Sequence, residues 1–371
     1  MDAIPVSSLT RWPRPSRLLP EWREPFVSPS AETRVLGLDV PRAIAVLMVL
    51  ASHWSGHFGH WFNMTVPIAM EMVGNTGVDL FFALSGFLAG RILIKLAAEH
   101  RPSWRDYRVF LIRRAMRTLP LYFLWLGLLL LFFPPRHDAL AIALRFATLT
   151  QNLITPMPPD YYFAVTWSLT VEAWFYLLFG AVFIQMARLL SSSRAMTSCL
   201  LIFMLGALSL RFYFGGAREI VVFRIDEIAY GVLIARLYMD GSRLFRHPWL
   251  ALVCGLGIMA APAPDWITQL VHPAQMAAGW GLCLPAAMRW TRAPHWFERK
   301  VRWLAARSYA LYIIHLTIVA DIVEVRIWTP ALLPATFCVI LAVLSPFLLA
   351  EAFYWLLEMP LMRRRPHQAA G

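Results

Sequence analysis

The sequence predicts an all-α fold, a polytopic transmembrane helical bundle of about ten spans plus one re-entrant or interfacial helix, and three observations carry that expectation. Of the chain's 371 residues, 59% are hydrophobic and only 15% charged, where a soluble chain is about one quarter charged. The apolar residues gather into repeated runs of about twenty, the length that crosses roughly 30 Å of hydrocarbon. The cations cluster between those runs, on alternate connections, as they do where arginine and lysine hold loops on the cytoplasmic side.

Taken in order, spans are expected at 36–54, 76–96, 112–133, 163–187, 196–214, 220–238, 247–262, 273–290, 306–328 and 333–357. Residues 1–34 are rich in Pro and Arg without a continuous apolar core. They read as a flexible cytoplasmic tail, with the first span as an uncleaved anchor. Residues 35–360 form the membrane-embedded domain and 361–371 a basic cytoplasmic C-terminal tail. With the N-terminus inside, the arginines of 91–117, 188–195, 236–246, 289–307 and 363–367 fall on the cytoplasmic side. This places both termini in the cytoplasm of a multi-pass protein of the inner (cytoplasmic) membrane. Segment 138–153 is short and bears Arg145; counting it as a span would invert every later loop, so it reads as re-entrant or interfacial.

Net charge is +12, nearly all from arginine, since Lys95 and Lys300 are the only lysines. A soluble protein this basic would point to nucleic acid. Here topology explains the charge, so the lipid bilayer is the expected partner and nucleic acid is not. The four cysteines (Cys199, Cys254, Cys283, Cys338) sit in apolar runs without paired spacing and read as small buried hydrophobes.

Ionisable groups inside spans are costly and mark function by default. Arg42 and His53 are eleven positions apart, which puts them on one face about 16 Å apart along the axis. A snorkelling arginine and a packed histidine are the structural alternative. His53, His57 and His60 share helical spacing, but with no acidic second shell nearby a metal site is not expected, and His57 and His60 are placed in a wet outer loop. Asp79 reads either as a cap at the start of the second span or as a catalytic group. Ser85-Gly86 reads as a close-packing pair. Arg113, Arg114 and Arg117 exceed what topology needs and suit a phosphate-rich cytosolic ligand or anionic lipid headgroups. Ser168, Glu172 and Tyr176 form one polar stripe beginning beside Trp167, with the glutamate facing a cavity or a partner such as His53 or an arginine. Arg224 and Glu227 are spaced to neutralise each other beside Asp226, and His315 and Glu358 lie in the last two spans.

In order and spacing these segments resemble the bacterial membrane acyltransferase family 3. The match comprises Arg42 and His53, Gly77–Leu88, Arg113-Arg114 with Arg117, Trp167-Ser168-Leu169 with Glu172, Ser308-Tyr309 with Tyr312 and His315, and Glu358-Met-Pro360. Two departures are Pro41 before Arg42 and Ala173 after Glu172. The resemblance implies transfer of an acyl group, acetyl in the usual case, from cytosolic acyl-CoA to a hydroxyl of a saccharide or small-molecule acceptor. It implies no bound cofactor and no metal, acyl-CoA being a co-substrate. His53 would be base or acyl relay, with Glu172 orienting it and Asp79 a second candidate. Arg42, Arg113, Arg114 and Arg117 would hold the donor, and Trp167, Ser168, Tyr176, Arg224 and His315 would line the cavity. The rival reading is a transporter or channel that uses the buried Arg, His and Glu residues as a proton or solute path.

Overall fold

The computed structural model describes residues 36–99, 102–158, 162–215, 219–262, 265–328 and 334–366. The expected N-terminal tail and residues 367–371 of the C-terminal one lie outside the described residues. Among the described residues there is no β-strand. The helices are α1 (Leu36–Trp61), α2 (Ile68–Glu99), α3 (Trp104–Phe132), the short α4 (Ala139–Ala147), α5 (Trp167–Leu189), α6 (Ser192–Phe214), α7 (Val221–Met239), α8 (Arg243–Arg246), α9 (Pro248–Ala260), α10 (Asp265–Met288), α11 (His295–Trp328), α12 (Ala335–Phe353) and α13 (Met359–Arg363). A π-helical turn, Tyr354–Glu358, joins α12 to α13.

Local chemistry sets several boundaries. Ser103 caps α3 reciprocally: its backbone N–H donates to Asp106 Oδ2 at 2.9 Å and its hydroxyl accepts from the Asp106 N–H. Gly215 ends α6 with φ +72°, a backbone region open to glycine. Pro41 lies inside α1 without ending it, at the cost of the bond that an N–H there would have made to the Gly37 carbonyl.

Among the described residues, seven helical stretches are long and apolar enough to cross a membrane, which makes this a multi-pass membrane protein. The other three expected spans are helical but miss that standard for separate reasons. Helix α7 carries Arg224, Asp226, Glu227 and Arg236. Helix α9 has 13 residues, about 20 Å of rise. Helix α10 is diluted by His272, Pro273, Gln275 and Pro285. Segment 138–153 holds no helix of spanning length: α4 has nine residues, with Ile142 and Phe146 buried and Leu140 and Leu144 exposed, too short to cross and compatible with a re-entrant or an interfacial helix. Leu131, Phe212 and Leu348 stand exposed on the outside of the bundle, as lipid-facing side chains do.

Two expectations are corrected at the helix ends. Helix α1 runs on to Trp61, so His57 and His60 are helical rather than in a loop; the side chain of His60 lies outside the described residues. Helix α2 begins at Ile68, so Asp79 is three turns inside it and caps nothing.

Helix α2 is the hub, packed on α1, α7 and α10. At its crossing with α7, a Cβ on Gly86 would meet the Ile228 carbonyl oxygen at 1.9 Å, and one on Gly231 would meet that of Ala83 at 2.3 Å. Only glycines allow the backbones to approach this closely, as the Ser85-Gly86 pair suggested.

Candidate active site

Helices α1, α2, α3, α5 and α11 enclose a cavity of about 90 Å³. Its polar wall is built from Arg42, Ser85, Arg114, Arg117, Ser168, Glu172, Tyr309 and Tyr312, and its apolar wall from α2, chiefly Phe81, Phe82 and Leu88. Glu172 Oε1 accepts from the Ser85 hydroxyl at 2.9 Å and from the Tyr176 hydroxyl at 2.6 Å. The Arg114 guanidinium lies over the Tyr176 ring, 4.8 Å from its centre, and over Phe110 at 5.5 Å. Arg117 is within electrostatic reach of Glu172, Glu358 and Arg114. Arg42 pairs with Asp39 at 3.1 Å, one turn back on α1. One end of the cavity is therefore cationic, with a single carboxylate held in place by two hydroxyls.

The other end is closed by the Ser168 and Tyr312 hydroxyls, 2.7 Å apart; Tyr312 also donates to the Val165 carbonyl at 3.1 Å. One turn further along α11 comes His315, fully buried. Its Nε2 is 2.7 Å from His53 Nδ1, the rings stacked with centres 5.0 Å apart. Its Nδ1 is 2.9 Å from the Leu311 carbonyl. A carbonyl only accepts, so His315 Nδ1 carries the proton. With both rings neutral, His315 Nε2 then accepts from His53 Nδ1–H, and the free lone pair falls on His53 Nε2. This tautomer follows from the hydrogen-bond network. It makes His53 Nε2 the basic atom of the pair.

The chain matches the family described as "Acyltransferase domain" over residues 35–351. It belongs to that acyltransferase family. It is also 25% identical over 382 aligned positions to the protein of Bacillus subtilis (strain 168) named "Putative peptidoglycan O-acetyltransferase YrhL". That alignment takes in 88% of this chain but 54% of the relative, so the chain spans about half the relative's length. No solved structure matches.

Within this acyltransferase-family protein the residues singled out by sequence, Arg113 apart, separate into two groups. Arg42, Arg114, Arg117, Ser168 and Glu172 meet at the cavity. Tyr176 stands behind Glu172, and His53 and His315 pair beyond the Tyr312 closure. Glu172, expected to orient His53, is engaged by Ser85 and Tyr176 instead, and His315 takes the place beside His53.

Asp79, Arg224 and Trp167 belong to a buried ionic layer. Arg224 Nη2 donates to Asp79 Oδ1 at 2.7 Å and to Glu227 at 3.1 Å, and its guanidinium lies 5.4 Å from the centre of the Trp167 ring. Beside it Arg211, 1% exposed, forms a two-pronged pair with Asp226 at 2.7 and 2.8 Å. These pairs satisfy charges that the bilayer would not tolerate alone. Arg113 donates to the Pro366 carbonyl at 2.7 Å. Among the described residues no group of three or more His, Cys, Asp or Glu side chains is placed to hold a metal ion.

Sequence reasoning missed Ser85 as a partner of Glu172, the Tyr309 hydroxyl donating to the Thr118 carbonyl at 2.5 Å, and Arg211. Arg211 left a signal, a cation at the end of an otherwise apolar span, whereas Ser85 and Tyr309 stood in the matched segments without their distant partners being legible.

Proposed function

We propose that this chain is an integral membrane O-acyltransferase. It takes an acyl group, acetyl in the simplest case, from cytosolic acyl-CoA and passes it to a hydroxyl of a saccharide or other acceptor. The observation that carries this reading is the axial order within one bundle: arginines, a cavity, a hydroxyl pair, and a histidine whose tautomer leaves Nε2 basic. The peptidoglycan O-acetyltransferase name of the B. subtilis relative favours a glycan acceptor.

Arg42, Arg114 and Arg117 would hold the donor's phosphates, guanidinium forks being suited to bidentate contact with phosphoryl oxygens. The thioester arm would extend along the cavity toward Tyr312. His53 Nε2 would take the proton of the acceptor hydroxyl as its oxygen attacks the thioester carbonyl. The C–S bond breaks, and the leaving thiolate recovers the proton from His53. In the two-step variant Nε2 itself attacks and the C–S bond breaks, leaving a thiolate and a cationic acylimidazolium that keeps its Nδ1 proton; the acceptor oxygen then takes the acyl group as the N–acyl bond breaks, and the hydroxyl proton goes to the thiolate. His315, held by Leu311, keeps the His53 ring in the reactive tautomer in either route. The arginine end would face the cytoplasm, with both termini on that side and His53 toward the outer half.

The test is turnover of acetyl-CoA by the purified full-length protein in detergent with a glycan acceptor. His53→Ala should lower kcat by about two to four orders of magnitude while the unfolding temperature and donor binding stay near wild type. Full activity in His53→Ala would remove the histidine mechanism. Failure of the wild type to bind or consume acyl-CoA, together with dissipation of a solute gradient in vesicles, would establish the transporter reading.

A further inference from the structure

The cationic end of the bundle has one further member. Arg113, Arg114 and Arg117 come from α3; Arg365 comes from the chain just beyond α13, a helix that packs on α3. The bond from Arg113 Nη1 to the Pro366 carbonyl ties down the backbone next to it. Arg365 Nε and Nη2 are buried without a hydrogen-bond partner, as is Arg114 Nη2. Glu358, upstream in the π-helical turn, forms no ion pair with Arg365 among the described residues, and its own Oε1 is buried and unpartnered. Burial first, then the cations of Arg117, Arg113 and Arg114, push Arg365 down to about 9, with Glu358 opposing.

Like charges crowded together with unmet donors have a direct chemical complement: a multiply charged anion with several acceptor oxygens. We propose that Arg365 is a phosphoryl-binding residue, completing with Arg114 and Arg117 a site that the docked C-terminal segment closes over. Its occupant is a phosphate group of the acyl donor, an assignment that rests on the acyl-CoA reading above. An anionic lipid headgroup offers the same chemistry from a second source. The triple Arg363–Arg365 thus does more than mark the inner face: one of its members reaches back to the site.

The experiment compares wild type, Arg365→Gln and Arg365→Lys as full-length protein in nanodiscs of purely zwitterionic lipid, with a parallel set containing phosphatidylglycerol. Readouts are kcat and KM for acetyl-CoA, competitive inhibition by adenosine 3′,5′-bisphosphate, and unfolding temperature. Arg365→Gln should raise KM and the inhibition constant about tenfold or more with kcat within a few-fold. Arg365→Lys, which keeps charge but loses the planar fork, should recover only part of the difference. If KM is unchanged but Arg365→Gln loses a stabilisation that phosphatidylglycerol gives the wild type, the phosphoryl site stands and the headgroup is its occupant. If both variants match wild type in KM, inhibition and lipid response, the proposal is overturned. If the wild type itself neither binds nor turns over acetyl-CoA, the acyl-CoA reading fails, and the lipid arm alone decides Arg365.

Discussion

At the level of single residues, the decisive partnership is between His53 and His315. A histidine in a spanning helix is ambiguous by itself, because either ring nitrogen can carry the proton. His315 removes the ambiguity by committing its Nδ1 to the Leu311 carbonyl and leaving its Nε2 as an acceptor. His315→Ala should therefore lower kcat by about a hundredfold with KM for the donor little changed, because the arginine end is untouched. His315→Gln, whose amide oxygen can accept from His53 Nδ1, should keep more activity than His315→Ala. Steady-state kinetics on the two variants decide the matter, and equal activity in both would show that the His315 acceptor does nothing for His53. Glu172 plays a different part. With Ser85 and Tyr176 donating to one of its oxygens, it keeps a fixed carboxylate beside Arg114 and Arg117.

Between elements, the α2–α7 crossing combines the closest backbone approach with the buried ionic layer. Gly86 and Gly231 let the helices meet, and that meeting brings Asp79 of α2 to Arg224 of α7. Gly86→Val should separate the helices and cost about 1–3 kcal/mol as overpacking, read as a lower unfolding temperature in detergent. Asp79→Ala should cost more, on the order of 3–5 kcal/mol, because it strands Arg224 without one of its two carboxylates. If Asp79→Ala instead unfolds like wild type while turnover is abolished, Asp79 returns to the reacting centre and the structural account of that layer is wrong. The π-helical turn before α13 matters here as well. Glu358 in that turn lies within electrostatic reach of Arg117, Arg307 and Arg365, and the residues that follow it pack on α3.

For the whole molecule, the testable statement is orientation. A membrane-impermeant maleimide should label Asn63→Cys, between α1 and α2, in intact cells. It should reach Ser242→Cys, between α7 and α8, only in inverted vesicles, both in a chain lacking its native cysteines. The opposite pattern would place the arginine end outside and overturn the proposed cytosolic donor. Composition alone established a helical membrane protein, because lipid tolerates few charges and demands long apolar runs that show directly in one dimension. Periodicity put Arg42 on the face of His53, and Ser168, Glu172 and Tyr176 in one stripe, since a regular helix turns spacing into direction. Which charges neutralise each other was legible only for neighbours such as Arg224 and Glu227. The long-range pairs His53 with His315, Ser85 with Glu172, Arg224 with Asp79, and Arg113 with Pro366 join residues 87 to 262 positions apart. Such pairs depend on how helices cross, and crossings follow from side-chain shape on two surfaces at once, which no spacing along one strand of sequence records. The sequence by itself thus determined the kind of molecule and the chemistry available to it. The tertiary structure decided which of those groups face the cavity, and which merely hold the bundle together.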